Sequence, residues 1–172
     1  MKSSYQVRAL KCFSMLLPYI VGCHKVYEFE RAVELFNQQY HRHVMVDHGL
    51  TRIVFITSDY AIKIDYGNEG MMFGGCEEEV KMYETAKKDG FGYLFAAIER
   101  IECNGYVAYV MPRVRNIPPD WDEEAEDSRI IENYLSDEEC RYLFDHVRDV
   151  HWRNFGLRGG RPVIVDYACL AL

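Results

Sequence analysis

Three short runs rich in β-branched and aromatic residues follow one another in the first half of the chain, and they constrain the fold more than any other feature. The runs are HVMVDHG (43–49), RIVFIT (52–57) and AIKIDYG (61–67), and a polar turn at 58–60 precedes the last one. Such short connections join antiparallel neighbours, because a parallel crossover needs a dozen or more residues. The pattern predicts three consecutive antiparallel strands.

Helices and a hairpin are predicted around these strands. Periodic apolar residues predict an N-terminal extension of two helices, 3–20 and 25–41, and a third helix over 76–90 that has acids in its first turn. Two further runs, 93–103 and 106–114, flank the turn Asn104–Gly105, which is typical of a hairpin. We expect an α+β fold with a five-stranded antiparallel sheet.

The last third of the chain begins with an acidic, proline-containing boundary at 115–127. SRIIENYL (128–135) predicts a short helix, and a capping box of Ser136 and Glu139 predicts another over 137–151. The apolar face of that second helix is predicted to contain Cys140, Leu143, Phe144 and Val147.

Two short strands about a Gly159–Gly160 turn are predicted over 155–168. The chain is thus expected to comprise three segments, 1–42, 43–116 and 117–172.

Composition excludes several classes of function. The net charge of −7 argues against general nucleic-acid binding, because neutralising phosphates needs a basic surface. Six cysteines without short metal spacing indicate reduced thiols in a cytoplasmic protein and no structural metal. The apolar stretch 12–23 is interrupted by Pro18 and is too short for a membrane span, so no membrane partner is expected.

Four polar residues stand at informative places along the chain. Lys63 lies between two isoleucines on a predicted strand; Asp149 is followed five residues later by Asn154; Asp166 comes directly after the apolar run VIV. Each has a structural interpretation of its own: a solvent-facing lysine, a helix cap or turn former, and a carboxylate that needs a partner at a strand end. Their order along the chain favours a shared role.

In that order these residues resemble the protein-kinase-like superfamily over about residues 44–168, in a minimal form similar to phage early-protein kinases and small bacterial effector kinases. AIKI matches the third-strand lysine motif, RDVHWRN the catalytic loop, and VDYA the place of the Asp-Phe-Gly motif. The resemblance implies a two-lobe fold with a truncated second lobe, in which residues 43–116 form the first lobe and residues 117–172 the second.

The same resemblance implies ATP and Mg²⁺ as cofactors and assigns roles. Asp149 would accept the proton of the substrate hydroxyl, while Asn154 and Asp166 would bind the metal. Lys63 would contact the α- and β-phosphates and pair with a carboxylate of the helix, for which Glu79 is preferred over Glu77, Glu78 and Glu84. Gly49 would approach the phosphates, with Thr51 or Arg52 as a substitute contact. Backbone groups of 110–113 would hold the adenine between the lobes, beside Tyr109 or Met111.

The chain also departs from the family. Gly49 is the sole glycine of the region that should cover the phosphates, and six residues follow Asp166, without an activation segment. We therefore expect a minimal serine/threonine protein kinase, constitutive or partner-activated, acting on a protein in a host cytoplasm.

Two alternatives remain open. One is a pseudokinase that binds and modulates a host enzyme. The other is an aminoglycoside-like small-molecule kinase, for which the acidic stretch 120–127 would attract a cation but the chain has no room for a substrate domain.

Overall fold

The computed structural model describes residues 4–49, 51–65, 75–116, 134–148, 150 and 152–167. These residues form two compact units, the first of residues 1–76 and 98–113 and the second of residues 77–97 and 114–172. The α+β class and the five-stranded antiparallel sheet predicted from the sequence are confirmed. The division into segments at residues 42 and 116 stays a prediction.

The first unit contains two helices and the five-stranded sheet. The helices are α1 (Ser4–Ile20) and α2 (Val26–Tyr40). The strands are β1 (Met45–His48), β2 (Arg52–Ile56), β3 (Tyr60–Asp65), β4 (Glu99–Cys103) and β5 (Tyr106–Pro112). Their order across the sheet is β1-β2-β3-β5-β4, with every neighbouring pair antiparallel.

One face of this sheet is covered by the N-terminal helices. Alternate residues of the strands, among them Phe55, Ile62 and Val110, join Phe13 and Phe36 of the helices in one apolar core. The Tyr60 hydroxyl adds a hydrogen bond to the Arg8 carbonyl at 3.3 Å. The predicted N-terminal extension is therefore part of the core of the first unit.

The third helix, α3 (Cys76–Lys88), begins at a cap supplied by the end of β3. The Cys76 N–H donates to both carboxylate oxygens of Asp65, at 3.0 and 3.3 Å. A side chain at position 75 would lie 2.7 Å from that carboxylate, so Gly75 leaves room for the cap. An acceptor at this point satisfies a backbone donor that the helix itself leaves unpaired.

The described residues of the second unit form the rest of α3, a small sheet and one more helix. Its helix is α4 (Asp137–His146), and its strands are β6 (Arg115–Asn116), β7 (Phe155–Arg158) and β8 (Arg161–Ile164), in the order β6-β7-β8. Two single 3₁₀ turns lie at Gly92–Leu94 and Trp152–Asn154. Among the described residues, no helix is long and apolar enough to cross a membrane.

Local turn chemistry was predicted well. The β4–β5 hairpin turns at Asn104 and Gly105, which have φ values of 51° and 80°, and the β7–β8 hairpin turns at Gly159 and Gly160. The capping box of α4 is present, since the Ser136 hydroxyl accepts from the Glu139 N–H at 3.3 Å and the Glu139 carboxylate accepts from the Ser136 N–H at 2.7 Å.

Three sequence predictions were wrong in part. The strand predicted over 93–103 exists only from Glu99, because Phe95 instead forms an isolated bridge with Ile164. Residues 115–116, predicted to begin an acidic boundary segment, instead form a strand that pairs with β7. The helix predicted over 137–151 ends at His146, where Val147 becomes extended.

The predicted apolar face of α4 was also wrong at one residue. Leu143 and Val147 are buried, but Phe144 is 48% exposed, and Tyr142 is buried in its place. The ring of Tyr142 stacks between Phe91 and His146. The short helix predicted over 128–135 lies almost wholly outside the described residues.

Candidate active site

The β7–β8 hairpin brings two predicted site residues to one end of a sheet. Phe155 pairs with Ile164 at the open end of the hairpin, and Asn154 directly precedes Phe155. One step beyond that pair, the Val165 N–H donates to the Asn154 carbonyl at 2.7 Å, and Asp166 follows. Asn154 and Asp166 are therefore close neighbours although twelve residues separate them in the sequence. Their role in binding a metal stays a prediction.

Asp166 is also held from its other side. The Tyr167 N–H donates to Glu79 Oε1 at 3.1 Å, and the Tyr167 hydroxyl donates to the Ala96 carbonyl at 2.7 Å. The Tyr167 ring is fully buried and meets Phe95 edge to face, with the ring centroids 5.0 Å apart. Both neighbours of Asp166 are thus tethered through their backbone N–H groups, which restricts the backbone from which its side chain projects.

The burial of Glu79 distinguishes it from the other acids of α3. Its relative exposure is 0%, whereas Glu77 and Glu84 are exposed and Glu78 is half-buried. A buried carboxylate needs hydrogen-bond partners, and the Tyr167 N–H is one of them. The sequence singled out Glu79 among four acids, and its burial agrees with that choice; its pairing with Lys63 stays a prediction.

Lys63 lies on the face of the five-stranded sheet opposite the helices. Ile62 belongs to the apolar core and Ile64 packs against it, so alternation places Lys63 on the other face. There it stands opposite Val54 of β2 and Tyr109 of β5. With 6% relative exposure it is buried, so the interpretation as a solvent-facing lysine is wrong.

Tyr109 and Met111 share that face with Lys63. Ala108 and Val110 belong to the helix-side core, so Tyr109 and Met111 point the other way, and they are 7% and 3% exposed. The pocket-lining role predicted for Tyr109 and Met111 stays a prediction.

The predicted adenine-binding backbone of 110–113 has fewer free donors than expected. The Arg113 N–H donates to the Asp59 carbonyl at 2.9 Å, and Pro112 has no N–H. Val110 is paired with Ile62 of β3 and Glu99 of β4, and Met111 with Ala61 of β3, so this backbone also belongs to the sheet.

Gly49 is committed in a turn. Its N–H donates to the Arg52 carbonyl at 3.0 Å, which joins β1 to β2. The Arg52 side chain is 9% exposed and its Nε donates to the Thr51 hydroxyl at 3.4 Å. The contacts of Gly49, Thr51 and Arg52 with phosphate stay predictions.

Asp149, the predicted proton acceptor, lies outside the described residues, as does His151. Among the described residues no group of three or more histidine, cysteine, aspartate or glutamate side chains is placed to hold a metal ion. Asn154 and Asp166 together offer oxygen ligands, and Mg²⁺ in nucleotide sites commonly takes only one or two protein carboxylates, its other ligands being phosphate and water. The donor set therefore fits a nucleotide-bound Mg²⁺.

A polar network that the sequence did not reveal joins the hairpin to α4. Arg161 of β8 donates to Glu139 Oε1 at 2.9 Å, and its guanidinium lies 5.6 Å from the Tyr93 ring centroid. Burial raises the pKa of Glu139, but the Ser136 N–H, the Tyr93 hydroxyl and the charge of Arg161 lower it more, so the net pKa is below its ordinary value. Glu139 is thus held in its charged form beside the hairpin.

No protein-family model matches the sequence, and no curated protein matches it. Among solved structures, the chain is similar to a Legionella pneumophila kinase solved bound to IP6, with 17% sequence identity and a TM-score of 0.46. The match covers 76% of this chain and 49% of that one, so this chain spans about half the length of that protein.

Proposed function

We propose that the chain is a phosphotransferase that uses ATP and Mg²⁺ and transfers the terminal phosphoryl group to a hydroxyl of a protein serine or threonine. The observation that carries the proposal is the position of Asp166. It stands beside Asn154 at the end of a hairpin, between two residues whose N–H groups are tethered to Asn154 and Glu79. A backbone held on both sides of Asp166 reduces the conformational freedom that ligand binding must remove, which lowers the cost of binding.

The chemistry requires charge neutralisation and positioning more than covalent participation by the protein. Asn154 and Asp166 would hold Mg²⁺, which when bound offsets the charge of the phosphates. Lys63 is buried on its strand, where a cation that contacts phosphate is poorly screened by water. Asp149 would accept the hydroxyl proton as the oxygen attacks the terminal phosphorus and the bond to ADP breaks.

A pseudokinase that binds nucleotide weakly or not at all is the second candidate. Gly49 is the single glycine between residues 43 and 57, and its N–H is used by Arg52. The backbone therefore offers few donors to phosphate in this region. In this second candidate function, the chain is a binding protein whose partner is a host enzyme.

Transfer of radiolabel from [γ-³²P]ATP to the chain itself or to a generic acceptor protein tests the proposal. We expect labelling by the wild type and a loss of at least about a hundredfold for Asp166→Asn, since removing a group that stabilises the transition-state charge costs 10²–10³-fold in typical cases. Asp145→Asn, an exposed aspartate on α4, is the matched control and should label normally. Equal labelling by wild type, Asp166→Asn and Asp149→Ala would refute the assignment of both aspartates.

A thermal titration with Mg²⁺ and ATP separates the two candidates. A site with a dissociation constant well below the nucleotide concentration raises the melting temperature through mass action. Stabilisation that Asp166→Asn removes supports the phosphotransferase. No stabilisation at millimolar nucleotide would favour the pseudokinase.

A further inference from the structure

A surface cavity of about 470 Å³ opens on the helix side of the first unit. Its walls come from α1, from the segment that follows α2, and from the turn between β2 and β3. We call it the α1–α2 cavity. Lys63, Tyr109 and Met111 lie on the opposite face of the same sheet, so the cavity is separate from the residues predicted to bind nucleotide.

The charge of this cavity has the opposite sign to that of the chain. The chain carries a net charge of −7, yet Arg8, Lys11 and Arg42 line the cavity against a single carboxylate, Asp59. Arg8 pairs with Asp59 at 3.1 Å, whereas neither Lys11 nor Arg42 forms an ion pair among the described residues. Two cations remain available for an anion.

The inner wall of the cavity is apolar or neutral. Met15, Phe36 and Val44 contribute apolar surface. Burial raises the pKa of the Cys12 thiol and of the Tyr60 hydroxyl, so both groups are uncharged at neutral pH. The apolar body of a ligand therefore meets no negative charge at this inner wall, since the one carboxylate of the lining, Asp59, is paired with Arg8.

The segment that carries Arg42 is fixed in place before any ligand binds. The Asn37 side chain donates to the Val44 carbonyl at 2.8 Å and accepts from the Val44 N–H at 3.0 Å, while the Arg42 N–H donates to the Asn37 carbonyl at 3.2 Å. His41 lines the cavity with φ 49°, a left-handed conformation in which glycine is the usual residue.

We propose that the α1–α2 cavity binds a small organic phosphate, with Lys11 and Arg42 contacting the phosphate and the Phe36 and Met15 side chains contacting the organic body. The volume is within the range of small-molecule pockets. A mixed lining of cations and apolar side chains selects such a ligand over an inorganic ion, which gains nothing from the apolar wall, and over a neutral molecule, which gains nothing from the charge.

Calorimetric titration of the full chain with phenyl phosphate, inorganic phosphate and phenol tests this proposal. We expect phenyl phosphate to bind at least about tenfold more tightly than inorganic phosphate, and phenol to give no binding. Lys11→Ala and Arg42→Ala should each weaken phenyl phosphate about tenfold, since a charge-assisted hydrogen bond contributes about that much. Arg31→Ala, an exposed arginine of α2 outside the cavity, should leave the affinity unchanged.

Four results would overturn the proposal: no binding of phenyl phosphate, equal affinity for inorganic phosphate, equal weakening by Arg31→Ala, or competition by ATP. Melting curves of the variants show whether each remains folded, and a second substitution, Arg42→Gln, keeps the aliphatic part of the side chain and a polar end without the charge. Lys63→Ala should bind phenyl phosphate as the wild type does, and saturating Mg²⁺ and ATP should not compete. Competition by ATP would assign the binding to the nucleotide site instead and refute a separate cavity site.

Discussion

Both compact units bury apolar side chains, but they differ in the polar contacts that accompany the core. The first unit buries the side chains of Phe13, Phe36, Phe55 and Ile62 in one continuous apolar core between its helices and its sheet. Among the described residues, the second unit has a three-stranded sheet and buries apolar side chains of its own, such as Phe95, Leu143 and Ile164, and specific polar contacts also tie its parts together. These contacts are Glu79 with the Tyr167 N–H, Glu139 with Arg161, and Asp89 with the Tyr142 hydroxyl.

The two kinds of contact should tolerate amino-acid substitutions differently. Apolar cores accept substitutions that conserve volume, because the contacts are non-directional. A buried polar contact depends on both partners, since removing one leaves the other unsatisfied. The described residues predicted to bind the metal, Asn154 and Asp166, belong to the second unit, so the candidate site depends on the more exacting kind of contact.

The largest effect is expected from the core of the first unit. Phe55→Ala should lower the free energy of unfolding by about 3–5 kcal/mol, because it removes a fully buried aromatic side chain and leaves a cavity. Urea denaturation measures the change. Phe144→Ala is the matched control, since Phe144 is 48% exposed and should cost less than about 0.5 kcal/mol. Similar losses for the two variants would contradict the placement of the core.

A smaller loss is expected when one polar contact of the second unit is cut. Tyr167→Phe removes the donor to the Ala96 carbonyl and should cost about 1–3 kcal/mol, the range for leaving a buried acceptor unsatisfied. Tyr106→Phe, at an exposed tyrosine, should be neutral in the same assay. Unchanged stability in Tyr167→Phe would show that directional contacts matter less in this unit than we infer.

The acid dependence of stability should differ between glutamates of α4. The pKa of Glu139 is below its ordinary value of 4.5, so its charged form contributes stability above about pH 4.5, and this contribution is lost as pH falls through the folded pKa. Glu139→Gln should therefore destabilise at pH 7 and flatten the decline of stability below pH 5. Glu138→Gln, at an exposed neighbouring residue, should retain the wild-type dependence of stability on pH. If Glu139→Gln also retained it, the contacts of Glu139 would not be the cause of the acid dependence.

The smallest effect is expected at the surface of the first unit. Arg8 and Asp59 form an ion pair at 3.1 Å, but their side chains are 52% and 49% exposed, and solvent screens such pairs. Arg8→Ala should cost less than about 1 kcal/mol, and the difference should shrink in 1 M salt. A loss comparable with that of Phe55→Ala would break the contrast between the units.

The elements predicted best from the sequence are those that short-range chemistry determines. The Asn104–Gly105 and Gly159–Gly160 turns and the Ser136–Glu139 capping box form as predicted, since each depends on residues within a few positions. The apolar face of α2 could also be predicted from the sequence, because Phe29, Val33 and Phe36 recur at helical spacing.

The errors arose where a contact with a residue distant in the sequence determines the local structure. Phe95 leaves the predicted strand to bridge Ile164, and Tyr142 replaces Phe144 in the interior because Asp89 and the Phe91 ring receive it. Neither partner is visible to a pattern over ten or fifteen residues. In the candidate site, the roles of Glu79, Asn154 and Asp166 stay predictions. The hydrogen bond from the Tyr167 N–H to Glu79 was not predicted, and the aromatic residue directly after Asp166 was the available signal for it.

The two-residue turn of the β7–β8 hairpin has a consequence for how this chain can be lengthened. Successive strand residues alternate between faces, so one residue inserted within Phe155–Arg158 or Arg161–Ile164 would invert every side chain beyond it and separate Asn154 from Asp166. An insertion at Gly159–Gly160 leaves both strands in register. Protein engineers seeking an attachment point for a fluorescent peptide should therefore choose that tip.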